Sequence, residues 1–290
     1  MNFVFNELTI VVVLFEEKKE LLFKFLQNIK NFKIVIVDNS GNSKLKSQVE
    51  DTFFIHRYIL NKKNHGFAKA ANQAIKLCDT DYILNINADC FIKEKDILLL
   101  INTHQNYKNC FIATPTFYTD NFEQGYNSDS FFEIEKNLDK KILNLDGDVC
   151  VDTVLASAIL FKRKDIIELG LFDENIFLYF VDTDLCRRAK KKNKSIIQVY
   201  NVKAQHRHGH SKVRNVLKKT FLRSYHFTYD ELYYYYKVNK HHEKYINLKK
   251  KLINYLIKSI LSFVTLRFIK SVHFFSMIKA FYNFDRLIKK

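Results

Sequence analysis

Glycine is scarce in this chain and proline almost missing, with six Gly and one Pro among 290 residues. So few glycines exclude a GxGxxG or Walker cradle, which needs closely spaced residues without a Cβ. The five cysteines (Cys78, Cys90, Cys110, Cys150, Cys186) are scattered, show no CxxC spacing and read as reduced, packing thiols. No basic segment precedes the first apolar run, which stops at Phe15. That fits a buried strand rather than a signal peptide, and the expectation is a chain that stays in the cytoplasm. No internal repeat and no low-complexity linker interrupts the sequence. No RNA- or DNA-binding motif occurs either, so nucleic acid is not expected as a partner.

What the chain does contain is apolar bulk: 47% of residues are hydrophobic, 27 of them Phe and 16 Tyr. That is enough for one domain with a substantial core plus an appendage. Charge divides the two parts. Residues 212–290 carry 18 Lys/Arg against 4 Asp/Glu, a net +14 out of the whole-chain +16. The first 211 residues are nearly neutral. The expected organisation is therefore a domain over 1–211 followed by a basic extension over 212–290, suited to an anionic surface.

Residues 9–14 (TIVVVL), 33–38 (KIVIVD), 56–61 (HRYILN), 82–87 (YILNIN) and 111–117 (FIATPTF) read as short strands, the first four leading into helices. Continuous apolar strands separated by helices predict an α/β, Rossmann-like fold with a mostly parallel sheet. Ligands bind such sheets at the carboxyl ends of the strands, which singles out Asp38, Asn39, Asn87 and Asp89. The polar stretch from about 118 to 150 reads as an excursion that shapes an acceptor site. Regular patterning resumes through VLASAILFKR, a helix at KDIIELG, and a last strand at SIIQVYNV.

Asp38, with Asn39-Ser40-Gly41 behind it, suits a nucleobase or ribose, although a plain Asx turn has the same signature. Asn64-His65-Gly66 ends where a helix begins and lets a ligand approach the backbone; a helix packed on the sheet would look alike. Asp89 leaves a buried strand, well placed for a Mg²⁺ or Mn²⁺ ion bridging a diphosphate, or for a helix N-cap. Asp182 and Asp184 sit among aromatic residues, where desolvation suits a general base; the same pair could cap the following helix. His206, His208 and His210 alternate after a strand and share one side of an extended chain. One of them joining an oxygen-ligated metal fits better than zinc.

Taken in order, VIVDNS, NHGFAKAANQAI, YILNINADC, LFDENIFLYFVDTDLCRRA and HRHGHS resemble the motif series of bacterial family 2 glycosyltransferases, especially their rhamnosyltransferase-like branch. The match spans residues 9–211. The resemblance implies a GT-A nucleotide-diphospho-sugar transferase fold in which Asp38 contacts the nucleoside, Asn64 and Gly66 lie near the donor, and Asp89 binds Mg²⁺ or Mn²⁺. It matches Asp182 to the base, and His206 and Ser211 to the H-x-x-G-x-S element over the diphosphate, with His206 as second metal ligand. The sequence departs from the pattern at Val181, where Glu is usual, at Ala156, where Gly is common, and at Leu14-Phe15, which lacks the usual Asn. The first departure leaves Asp182 and Asp184 both as candidate bases.

Residues 213–290 read as helical throughout, with Lys251, Asn254, Lys258, Ser262 and Thr265 forming a polar stripe opposite an apolar face. Charges interrupt each apolar stretch before about 18 residues accumulate, which predicts an interfacial rather than a spanning helix. A helical cap packed on the first domain would show the same pattern. The expectation is an inverting glycosyltransferase on the inner face of the cytoplasmic membrane. Its partners would be a dTDP-, UDP- or GDP-sugar donor and a glycan or lipid-linked acceptor. The alternative is an inactive GT-A-like module that tethers a glycan-assembly complex.

Overall fold

The computed structural model describes residues 7–119, 122–123, 147–206, 215–238 and 241–289. Most of the 118–150 excursion, along with His208, His210 and Ser211, lies outside them. The first unit comprises residues 1–173 and 182–211, the second residues 174–181 and 212–290.

In the first unit the elements are β1 (Leu8–Leu14), α1 (Lys19–Ile29), β2 (Lys33–Asp38), α2 (Ser43–Glu50), β3 (Arg57–Leu60), α3 (Phe67–Leu77), β4 (Tyr82–Ile86), β5 (Cys90–Ile92) and α4 (Glu94–Asn106). They continue through β6 (Cys110–Thr119), β7 (Phe122–Glu123), β8 (Val149–Cys150), β9 (Ala158–Lys162), α5 (Arg163–Glu168), α6 (Val181–Lys191) and β10 (Ser195–His206). The strands form one sheet in the order β3-β2-β1-β4-β9-β6-β10-β5, with β7 on β6 and β8 on β10. Strands β3, β2, β1 and β4 run parallel, as the apolar runs predict; β9 then pairs antiparallel with both β4 and β6, and β10 returns parallel to β6.

Burial follows the sequence pattern. The run β1 is buried nearly throughout because both sheet faces are covered. Helix α1 buries Leu22, Phe25, Leu26 and Ile29, the i, i+3, i+4, i+7 stripe of an amphipathic helix. Helix α3 instead buries Ala68, Ala70, Ala71 and Ala74, small side chains that let it lie close on the sheet. Each fully buried Leu or Phe here contributes about 2 kcal/mol of hydrophobic stabilisation. All five cysteines are free; four are buried, while Cys150, on the short strand β8, is exposed.

The second unit holds α7 (Val216–Lys237), α8 (His241–Val264) and α9 (Phe268–Ile288). Its small core gathers Leu232, Phe281 and Phe284 with Tyr245 and Leu248 packed against them. The helical reading of residues 213–290 holds for these three helices, with one break inside residues 249–284. The helix breaks at Leu266, which takes the left-handed conformation at φ 57°. Of the polar stripe, Lys251, Asn254, Lys258 and Thr265 are exposed, while Ser262 is buried with Ser259, Ser271 and Ser276. Ser259 Oγ donates to the Ser271 carbonyl at 3.0 Å. Around that small-residue seam the large apolar side chains face outward, with Ile253 73%, Leu261 58% and Val264 70% exposed. No described helix is long and apolar enough to cross a membrane.

Candidate active site

The direction of the strands assembles the site. Strands β1, β2 and β4 run parallel, and the two antiparallel steps through β9 bring β6 and β10 back to the same direction. The chain segments leaving β1, β2, β4 and β10 therefore meet at one edge of the sheet.

At the end of β2, Asp38 is fully buried; its Oδ1 accepts the Ser40 N–H at 2.7 Å and its Oδ2 the Tyr58 hydroxyl at 2.9 Å. Burial beside that carboxylate drives the Tyr58 phenol far above its usual range, so it stays a donor. Asn39 stitches the neighbouring loop: its Nδ2 donates to the Gly66 carbonyl at 3.1 Å, and its Oδ1 accepts from Asn61 Nδ2 at 2.9 Å. Asn64 Oδ1 accepts the Gly66 N–H at 2.8 Å. Gly66 enters α3 at φ 84°, a conformation that costs a residue with a Cβ but not glycine. Asp38, Asn39, Asn64 and Gly66 thus form one hydrogen-bonded loop cluster.

The turn between β4 and β5 carries Asn87 and Asp89. Asn87 donates its N–H to the Ser157 carbonyl at 2.9 Å, and the Cys90 N–H closes the turn on the Asn87 carbonyl at 3.0 Å. Strand β10 pairs antiparallel with β5 so that His206 lies opposite Cys90. That register brings His206 Nε2 to 3.4 Å from Asp89 Oδ1. The carboxylate is 21% exposed and the imidazole 8%. Among the described residues no group of three or more His, Cys, Asp or Glu could hold a metal. One carboxylate oxygen and one imidazole nitrogen are donors of a kind that would suit Mg²⁺ or Mn²⁺.

Asp182 and Asp184 open helix α6. Asp182 Oδ2 accepts the Ala156 N–H at 3.0 Å, and Oδ1 the Thr183 N–H at 2.9 Å. Desolvation nevertheless outweighs these amides and raises the Asp182 carboxyl above the ordinary carboxylate value. Asp184 is engaged elsewhere: its Oδ2 accepts from Arg188 Nε at 2.8 Å. The same guanidinium donates to the Leu169 and Leu171 carbonyls at 2.8 and 2.7 Å, tying the loop before α6. Ala156 and Ser157 join the two halves of the site. Ala156 also accepts from Asn85 Nδ2 at 3.1 Å, and Ser157 holds Asn87.

One residue escaped the sequence reading. Glu17, just beyond β1, is half-buried, and its pKa is pushed up to about 7 by burial and by the charges of Asp89 and Asp38. The available signal was a pair of acids directly after a strand that ends without the expected Asn.

Comparison with known proteins agrees with this geometry. The model of glycosyl transferase family 2 matches residues 9–170. Curated relatives include the low-salt glycan biosynthesis hexosyltransferase Agl10 of Haloferax volcanii, 25% identical over 69% of this chain and 67% of its own length. The dTDP-rhamnosyl transferase RfbF of Shigella flexneri is 28% identical over 64% of this chain and 63% of its own length. The rhamnosyltransferase WbbL of Escherichia coli is 24% identical over 61% of this chain and 75% of its own length. Among solved structures, GalNAc-T7 with UDP, GalNAc and Mn²⁺ superposes with a TM-score of 0.56 at 11% identity, over 79% of this chain and 51% of that one. The mannosyltransferase PcManGT of Pyrobaculum calidifontis, with GDP-Man and Mn²⁺, gives 0.52 at 13% identity, over 77% and 62%. The fold is GT-A, and the chain belongs to glycosyl transferase family 2, with rhamnosyltransferases among its relatives.

Proposed function

We propose that the chain is an inverting glycosyltransferase that moves a sugar from a nucleotide-sugar donor to a hydroxyl of a cell-surface glycan or lipid-linked acceptor. The observation that carries this reading is the Ala156-Ser157 bridge, which holds Asp182 on one side and the Asn87 turn bearing Asp89 on the other. A base and a diphosphate site are thereby tied to one piece of backbone.

Asp182 is assigned as the base. Its raised pKa makes it a better proton acceptor near neutrality than an ordinary carboxylate. As the acceptor oxygen attacks the anomeric carbon, its proton passes to Asp182. The bond from that carbon to the diphosphate oxygen breaks, and its electron pair leaves with the nucleoside diphosphate. A single displacement of this kind inverts the centre. Asp184, committed to Arg188, is read as support rather than as a second base.

Asp89 and His206 would hold the divalent cation, which when bound offsets charge on the departing diphosphate. Asp38, Asn39, Asn64, Gly66 and Asn87 are assigned to the donor pocket, and Ser211 to its closure. The named relatives and structures supply dTDP, UDP and GDP as candidate nucleotides. Nucleoside diphosphate release from the three donor classes, with Mg²⁺ or Mn²⁺, tests the proposal. Donor binding without release across an acceptor panel would instead support the inactive module.

The same reading puts the protein on the inner, cytoplasmic face of the membrane as a peripheral protein, with the domain boundary near residue 211. The net +14 of residues 212–290 supports attraction to anionic lipid. The outward apolar faces of α8 and α9 support burial at the headgroup boundary.

A further inference from the structure

Four consecutive residues that lead into the base, Phe177 to Phe180, are all held by one face of α7. Asp230, at 0% exposure, accepts three successive backbone N–H groups: Phe177 on Oδ1 at 3.1 Å, and Leu178 and Tyr179 on Oδ2, each at 2.9 Å. The His226 ring stacks on Phe177 at 3.7 Å and 11°. Phe227 meets Tyr179 edge-on at 5.2 Å. Tyr234 stacks on Phe180 at 5.5 Å. Residues 226, 230 and 234 are four apart and so lie on one stripe of the helix.

Two features set this apart from ordinary packing. A buried carboxylate is costly; burial drives Asp230 up to about 6 even though the three amides pull the other way. Phe180, two residues before Asp182, has φ 63°, a conformation that is uncommon and costly for a side chain with a Cβ. Three rings of α7 surround it: Tyr234, Phe227 and Tyr235. The amide nest fixes the backbone of residues 177–179, and the ring cluster fixes the strained residue that follows. Val181 and Asp182, the first residues of α6, follow Phe180 directly in the chain.

We infer that Asp230 is a positioning residue for the reaction: through the backbone of Phe177, Leu178 and Tyr179 it sets the start of α6 and hence the Asp182 carboxylate. The inference rests on the reading of Asp182 as the base.

The test compares the full-length chain with Asp230→Asn, Asp230→Glu and Phe180→Gly. The last keeps the left-handed backbone accessible while removing the ring that holds it. In Asp230→Asn, the remaining oxygen keeps the two amides that share Oδ2 and the new NH2 group faces the Phe177 N–H, so exchange of the Phe177 amide should quicken at least 10-fold. The kcat should fall 10-fold or more, while donor KM and nucleoside diphosphate affinity stay within about 2-fold. Asp230→Glu should restore part of the kcat, and Phe180→Gly should lower kcat without a loss of donor affinity. A lowered Tm with normal kcat per folded molecule would reduce Asp230 to a structural role and overturn the inference. So would unchanged exchange of the Phe177 amide, which can be read even if no donor is ever turned over. Absence of turnover in the parent chain would count against the glycosyltransferase reading alone.

Discussion

The N–H of Ala156 donates to the Asp182 carboxylate at 3.0 Å, although the two residues lie 26 positions apart. It links the end of the β9 approach to the first turn of α6, and only one of the two acids in that turn receives it. Asp184 spends its carboxylate on Arg188 instead.

This difference separates the two acids experimentally. Asp182→Asn should lower kcat on the order of 100-fold or more with donor KM nearly unchanged, because the amide cannot accept the proton. Asp184→Asn should mainly destabilise, by about 3 kcal/mol, since it removes one partner of a buried ion pair. Steady-state kinetics with thermal melts on both variants checks the assignment; a larger kcat loss in Asp184→Asn would exchange the roles.

The Asp89–His206 pair predicts a shared ion. Mn²⁺ affinity in the presence of nucleoside diphosphate, followed by the Mn²⁺ resonance signal, should drop at least 10-fold in Asp89→Asn. His206→Ala should show a loss of the same order. Melting temperatures should stay near that of the parent for Asp89→Asn, whose side chain is partly exposed at a turn. Unchanged Mn²⁺ binding in both would remove the pair from the metal site.

Acid should weaken the second unit through His226. Burial lowers its pKa from 6.5 to about 4, so folding favours the neutral ring. The stability it contributes is full above about 6.5 and drains away as pH falls toward 4. Asp230 has the opposite sign: its raised pKa makes its contribution full below 3.8 and lost as pH rises through about 6. Going from pH 7 to pH 5, the two oppose each other. His226→Phe keeps the stack on Phe177 but deletes the histidine term, so its Tm should rise relative to the parent over that interval. Parallel Tm profiles would contradict the assigned shift.

The outward apolar face of α8 makes a membrane prediction that separates charge from burial. With phosphatidylglycerol vesicles, the parent should sediment at low salt and retain part of its binding at high salt. Leu256→Asp with Ile260→Asp should lose the salt-resistant part, roughly 10-fold or more in partitioning, and leave helicity unchanged because both side chains are exposed. A parent that stays in the supernatant throughout would end the membrane reading.

Much of the first unit was legible in the chain. The apolar runs at β1, β2 and β4 are continuous because their strands are covered on both faces, and the polar residues that follow such strands are where ligands tend to bind. Asp38 and Asp89 could therefore be located by position alone. Glu17 could not, since nothing local distinguishes a solvated acid from one crowded by two others; its pKa near 7 arises from charges 21 and 72 positions away. Ser262 departs from the otherwise exposed polar stripe of α8 for a related reason. Periodicity reveals that a helix has two faces but not which one its neighbour covers, and here small residues at a close helix contact took the inside.

The sequence alone determined the parallel half of the sheet, the charge asymmetry and the family, because each depends on patterns repeated along the chain. Only the tertiary structure decided that His206 reaches Asp89, that the Ala156 N–H meets Asp182 and not Asp184, and that Asp230 grips the segment before α6. Those are meetings of residues 26 to 117 positions apart, set by strand register and helix packing, and no local periodicity encodes them.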